Sequence, residues 1–186
     1  MKITVTTWYL EMTSPDELRP ARQAGHSLNL HRVCPPLPVL NRFFYTAVGG
    51  HWYWVDRLGW THARWMDYLN RDDLETWIGS LGGVPTGYYE LERQDGGNVE
   101  IAYFGLLPEF TGQRLGGSLL TAAVRRAWAM GAVRVWVHTC SLDPPAARSN
   151  YLARGFRTYR EEWTEKELPD TPPRPWPGAG IVRSGA

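Results

Sequence analysis

The chain has 186 residues, enough for one domain that buries roughly 70% of its unfolded surface in a core. A formal net charge of +1 and a pI near 7.8 carry no polyanion signature, so neither nucleic acid nor an anionic membrane is implied as a partner. No apolar run approaches the length of a membrane span, and the Met-Lys-Ile-Thr start lacks a signal-type apolar stretch; Cys34 and Cys140, without metal-ligand spacing, read as two free thiols in a reducing cytoplasm.

Residues 2–10 are rich in β-branched and aromatic side chains and predict a strand. Ser14 followed by Pro15 and two acids predicts a short helix running toward Arg22. Gly25 to Pro38 reads as loop, and residues 39–70 as two helical pieces broken at Gly49-Gly50 and near Gly59. From Leu74 the pattern turns to period two. Glu75–Leu81, Gly87–Arg93 and Asn98–Leu107 predict consecutive antiparallel strands, separated by Gly82-Gly83 and by Asp95-Gly96-Gly97. Leu115, Leu119, Leu120, Ala123, Val124 and Ala127 share one helical stripe that Gly131 ends. Val133, Val135 and Val137 alternate as a strand. Asp143 then reads as the cap of a helix starting at Pro144 and running to Gly155, before a last strand over 156–163. The tail from Pro169 holds five prolines and reads as extended or disordered. The order predicts an α+β fold: a mixed, mostly antiparallel central sheet flanked by helices, with one parallel junction around the long helix.

Chemistry concentrates in residues 99–120, VEIAYFGLLPEFTGQRLGGSLL. Consecutive amides at a glycine-bearing helix start form an anion nest, to which the helix dipole adds roughly half a positive charge. Gly112, Gly116 and Gly117 also keep side chains out of the way of a pyrophosphate. No Gly-Lys-Ser/Thr follows, so this is not a Walker loop. Glu100, flanked by Val99, Ile101 and Ala102, is a candidate general base, against the plainer reading of a strand-end carboxylate in solvent. Glu90 and Glu92 on the preceding strand are competing bases or anchors for a cationic substrate. Tyr151 is a candidate acid for a leaving thiolate, since phenols and thiols have comparable pKa values; its plainer reading is an aromatic stripe residue. The five histidines show no ligand spacing, so no metal is expected. Six of the ten tryptophans (Trp8, Trp52, Trp54, Trp60, Trp65 and Trp77) fall in the first half, as core or as the lining of a pocket.

Taken together, FGLLPEFTGQRLGGSLL resembles the acetyl-CoA-binding motif of the GNAT superfamily of N-acetyltransferases, and ARSNYLARGF resembles the family's A-x-x-x-Y-x-x-x-G-F helix. The resemblance covers roughly residues 74–163 and implies one domain over 1–168, its acceptor side in 1–73, with 169–186 as a Pro-rich tail. It implies acetyl-CoA as donor, an amine as acceptor, direct transfer in a ternary complex, and no metal; a homodimer is compatible with it, and Glu90, Glu92 and the Trp-rich first half favour a small-molecule amine, with a peptide or protein lysine as the alternative. Leu106 matches the position where the family's strand splays at a β-bulge, and Leu107 follows it. Thr111, Gly112, Gln113, Arg114, Leu115 and Gly116 match the pyrophosphate loop, with Gly117 and Ser118 adjoining it. Tyr151 matches the acid that protonates the departing thiolate, and Glu100 the general-base glutamate of the histone-acetylating branch. Thr111 stands in place of the usual Arg or Gln, Arg114 in place of a Gly, and Pro144 in place of an Asn, whose contact to the cofactor would pass to Asn150. A domain that holds acetyl-CoA without turnover, or a transferase of a longer acyl group, are the alternatives.

Overall fold

In the computed structural model, which describes residues 1–22, 27–177 and 179, seven strands form a single sheet. They are β1 (Lys2–Met12), β2 (Asn29–Arg32), β3 (Leu74–Leu81), β4 (Val84–Gln94), β5 (Asn98–Leu106), β6 (Arg134–Cys140) and β7 (Arg157–Glu167). Four helices accompany them: α1 (Pro38–Gly49), α2 (His62–Leu69), α3 (Leu115–Ala129) and α4 (Pro145–Ala153). The sheet order is β2-β3-β4-β5-β6-β1-β7, and every pairing is antiparallel except that of β5 with β6. The mixed, mostly antiparallel sheet expected from the sequence is therefore the fold. No described helix is long and apolar enough to cross a membrane.

Local chemistry accounts for most of the boundaries. Pro38 opens α1 with a preset φ, and the Thr61 hydroxyl caps α2 by accepting from the Arg64 amide. In the β3–β4 hairpin Gly82 and Gly83 both take positive φ, as a tight two-residue turn requires. The stripe of α3 is buried along its length, from Leu115 through Leu119, Leu120, Ala123 and Val124 to Ala127. It packs on β4, β5 and β6 in one core with Leu10, Met12, Leu91, Val99, Ile101 and Val135.

Three expectations are corrected. Residues 29–32 pair with β3 as the edge strand β2 rather than forming loop, their backbone supplying a ladder that no side-chain pattern announced. The helix after Ser14 is a single 3-10 turn, Pro15–Glu17, closed by a capping box between Ser14 and Glu17. Asp143 does not cap α4: its Oδ2 accepts from Thr139 Oγ1 at 2.7 Å and from the Cys140 amide at 2.9 Å, tying down the end of β6, and α4 begins after Pro144. The tail from Pro169 carries no regular secondary structure over its described residues, in keeping with an extended segment, and it runs against the body. Leu168 is buried and donates to the Met1 carbonyl, and Pro173 lies over Gly50, where a Cβ would come within 2.5 Å of the Pro173 carbonyl oxygen.

On the face opposite α3, helices α1 and α2 cover β4 and β5 around a buried ion pair. Glu90, fully buried on β4, lies 3.0 Å from Arg57 Nη1 and also accepts from Tyr68 Oη and Asn41 Nδ2, each at 2.8 Å. The Arg57 guanidinium sits between Tyr68, 4.0 Å from its ring centre, and Tyr103 at 4.1 Å, with Trp60 at 4.7 Å. Two of the first-half tryptophans, Trp60 and Trp65, thus join Tyr68 and Tyr103 in an aromatic cage around one of the chain's own cations. Removing one partner of a buried pair strands the other charge. Glu90→Ala is therefore expected to destabilise the protein by roughly 3–5 kcal/mol, measured by urea unfolding; a loss below 1 kcal/mol would mean that water reaches Arg57.

Glu75 on β3 accepts two hydrogen bonds from Arg126 of α3, at 2.6 and 2.8 Å, and one from Trp77. Burial alone would raise its pKa, but the Arg126 and Trp77 hydrogen bonds and the charges of Arg126 and Arg32 hold it below the ordinary carboxylate range. With the folded value lowered, this interaction stabilises the fold above the ordinary carboxylate pKa and is lost as pH falls through the lowered one. Glu75→Gln is expected to flatten the acid side of the stability–pH curve below about pH 5, seen in thermal midpoints; a parallel, uniformly shifted curve would contradict this.

Candidate active site

Pairing between β5 and β6 lasts for three rungs, Asn98↔Arg134, Val99↔Val135 and Glu100↔Trp136, and then the strands part. Beyond that point β5 keeps only β4. The register between those two shifts where Glu90 faces Tyr103 and Leu91 faces Ile101, leaving Ala102 as the extra residue. The irregularity thus lies at Ala102, four residues before Leu106, which pairs in register with Gly87; this corrects the expected bulge at Leu106. The Leu107 amide donates to the Thr86 carbonyl. By strand alternation the amides of Phe104 and Leu106 then face away from β4, into the gap that β6 leaves.

A cavity of about 1310 Å³ fills that gap. At one end it meets the start of α3, where Thr111, Gly112, Arg114, Gly116 and Gly117 line it. The first turn of α3 holds no acid, and its amides have no carbonyl partners of their own within the helix. Gly112 takes φ +76°, and a Cβ there would meet nothing within 4 Å, so the loop is open on that side. Arg114 takes φ +62° just before the helix, a left-handed conformation costing a non-glycine residue roughly 1 kcal/mol. That strain stands where the sequence motif has a glycine, beside the cavity. Asn150 of α4 also lines the wall and donates to the Gly116 carbonyl at 3.3 Å, bracing the first turn of α3.

Other motif residues lie elsewhere. The side chain of Gln113 turns back to donate to the Glu109 carbonyl, and the Thr111 hydroxyl donates to that of Pro108. Leu115 is buried in the core, Leu107 packs with Phe44, Val48 and Tyr88, and Ser118 faces a separate surface hollow beside Thr121 and Arg125.

Tyr151 of α4 reaches the cavity midway, with its ring between Phe104 and Phe156. Burial first, and then the charge of Asp143, push its phenol well above the usual range. The hydroxyl is therefore protonated through the neutral and mildly alkaline range: a standing donor of a hydrogen bond rather than a ready acid.

At the far end the cavity is aromatic and mixed in charge. Trp52, Tyr53 and Trp54, from the segment after α1, face Tyr9 of β1 and His138 of β6, with Asp56 and Glu162 as carboxylates and Lys166 as a cation. Trp54 lies flat over Gly49, where any Cβ would strike its ring at 2.0 Å, and its Nε1 reaches Asp143 Oδ1 at 3.5 Å. That contact bridges the gap between the α1 side and the β6–α4 turn. Sequence reasoning missed most of these residues. Tryptophan clustering was the available signal for Trp52 and Trp54; nothing local marked Tyr9, Asp56, His138 or Glu162.

The expected carboxylates divide. Glu100 sits on the last rung of the β5–β6 pairing, at the apex of the gap, beside but not on the cavity wall. Glu90 is consumed by the buried ion pair, and Glu92 is held by Arg71 Nη1 at 2.8 Å; neither lines the cavity, whose wall instead carries the carboxylates of Asp56 and Glu162. Among the described residues no three His, Cys, Asp or Glu side chains converge to hold a metal ion.

The cavity has room for an elongated ligand, with helix-start amides and Arg114 at one end as groups that could hold an anion, and with the outward amides of Phe104 and Leu106 along its wall. The comparisons agree with it. The profile of the Acetyltransferase (GNAT) family matches residues 39–156. A mycothiol acetyltransferase from Catenulispora acidiphila is 36% identical over 119 residues, which are 59% of this chain and 36% of that protein. This chain therefore spans about a third of the length of that curated relative. A GCN5-related N-acetyltransferase from Sphaerobacter thermophilus superposes with a TM-score of 0.64 at 17% identity, covering 87% of this chain and 50% of that one. An IAA acetyltransferase from Bacillus cereus gives 0.56 at 20%, covering 72% and 79%. At such identities the solved structures speak to the fold alone. With the family profile spanning more than half of its residues, in the segment that builds the cavity, the chain belongs to the GNAT acetyltransferase family.

Proposed function

We propose that the protein transfers an acetyl group from acetyl-CoA to a primary amine of a small molecule, directly, within a ternary complex. The observation that carries this reading is the continuity of one cavity, from the amides at the start of α3, past Tyr151, to an aromatic end that holds Asp56 and Glu162. Donor and acceptor can lie end to end there, and much of the rate gain comes from holding them so. The printed name of the Catenulispora relative supports acetyl transfer as the class of reaction.

The thioester supplies the activated acyl group; the chain supplies orientation and proton traffic. Amides at the start of α3, with Arg114, hold the phosphates, and Asn150 braces that turn. The amides of Phe104 and Leu106 hold the arm along β5 and place a donor near the carbonyl oxygen, where negative charge develops. The end of the cavity nearest Glu100 takes up the proton of the acceptor ammonium. Tyr151 donates toward the sulfur as the C–S bond breaks, and its burial suits a neutral donor. Asp56 attracts a cationic acceptor, and Trp52, Tyr53 and Trp54 pack against its body.

Acetyl-CoA consumption, followed by thiol release across amino acids, polyamines, aryl amines and lysine peptides, tests the reading. Turnover with a small amine is expected; turnover with lysine peptides alone would overturn the small-molecule assignment, and silence alongside calorimetric binding of acetyl-CoA would favour a non-catalytic binding domain. Tyr151→Phe is expected to lower kcat by about 10²-fold while leaving acetyl-CoA affinity unchanged. Because the phenol is pushed up, the loss should be uniform from about pH 7 to 10; full activity in the variant would remove Tyr151 from the mechanism.

A further inference from the structure

Glu100 is tied down behind His138 rather than presented to the cavity. Its Oε2 accepts from Gln94 Nε2 at 2.7 Å, and Gln94 Oε1 accepts in turn from Trp136 Nε1 at 3.0 Å. Its Oε1 lies 3.4 Å from His138 Nδ1, and its side chain is 13% exposed. His138, two residues beyond Trp136 on the same face of β6, is 48% exposed and lines the cavity wall. Tyr9, 6.0 Å away, and Trp136, 6.2 Å away, flank the imidazole ring and restrict its rotation. Two other polar groups near this end are engaged: Tyr9 donates to Glu162 at 2.8 Å, and Glu162 is also paired with Arg160.

Resting on the acetyl-transfer reading, we propose that His138 is the catalytic residue that takes the ammonium proton, with Glu100 as the positioning residue behind it. Glu100 turns Nδ1–H toward itself, which leaves the Nε2 lone pair for the cavity, the arrangement of an imidazole base held by a carboxylate. One N–H bond of the acceptor ammonium breaks and its proton passes to Nε2. The freed nitrogen lone pair forms the C–N bond at the thioester carbon, and the C–S electrons leave with sulfur. Tyr151 keeps its proton and donates a hydrogen bond to the departing sulfur, which takes the second proton that the nitrogen sheds as the amide forms. The net products are the amide, the thiol and one proton, which leaves through His138. This reassigns the base that the family resemblance gave to Glu100, because the carboxylate reaches the cavity only through the imidazole.

The test uses the whole chain and an amine on which the wild type turns over. His138→Gln is expected to lower kcat by about 10²-fold or more, with the acetyl-CoA KM unchanged; His138→Asn provides a second variant should the first fail to fold. Glu100→Gln is expected to cost about tenfold, less than the roughly 10²-fold or greater loss expected on removing the base itself. The double variant should be no worse than His138→Gln, since the two act in series. In ¹⁵N spectra of imidazole-labelled protein, wild-type His138 should show the Nδ1-protonated tautomer, and Glu100→Gln should lose that preference. Wild-type kcat in both His138 variants, or a larger loss in Glu100→Gln than in His138→Gln, would overturn the inference while leaving acetyl transfer standing. A wild type that consumes no acetyl-CoA with any amine would overturn both, and is recognised before any substitution is made.

Discussion

The arrangement of this protein turns on a parallel pairing that stops after three rungs. Had β5 and β6 stayed hydrogen-bonded along their full length, the amides of Phe104 and Leu106 would be satisfied by β6 and no cavity would separate the strands. The cost of parting them is a row of unpaired backbone groups, tolerable where a ligand or water can take their place. Everything functional is arranged around that gap: α3 starts at its mouth, α4 brings Tyr151 to its middle, and Glu100 and Trp136 close its apex.

The parting is held from both faces of the sheet. On one face α3 packs its whole apolar stripe against β4, β5 and β6, which fixes where its first turn stands relative to the strand ends. On the other, Glu90, Arg57, Tyr68 and Asn41 lock α1, α2 and the intervening segment onto β4. A buried carboxylate bonded on all sides is a directional constraint as well as a source of stability, because it is satisfied in only one arrangement of its partners. The neighbouring Trp52, Tyr53 and Trp54 thereby come to rest over the cavity. The aromatic wall that an acceptor would meet is thus set by an ion pair that no acceptor touches.

Over β6, β1 and β7 that same face is left without a helix. Tyr9, Trp136, His138 and Tyr159 stack there among charged neighbours, and the dyad of His138 and Glu100 lies at the boundary between this open face and the cavity. Exposure of the imidazole and enclosure of the carboxylate follow from that boundary. The edge strands carry their own protection: β2 is only four residues long, and seven of the eleven residues of β7 are charged, both of which discourage further strand addition.

How much was legible beforehand depended on the range of the interactions. The glycines of the β3–β4 hairpin, the stripe of α3 and the loop before α3 are governed by neighbours a few residues away, so residues 74–163 could be read as a fold and the family recognised from two motifs. The amides at the start of α3 belong to the same class, because a helix start presents them whatever the rest of the chain does. Long-range partners decided the remainder. Glu90 looked available and is consumed by Arg57, thirty-three residues away in the chain; Asp143 looked like a helix cap and instead ties off β6; residues 29–32 form a strand only because β3 offers an edge. Glu100 was legible as a carboxylate at the right place in the strand. That His138 stands between it and the cavity follows from the parallel register of β5 and β6, a tertiary fact that local sequence does not encode.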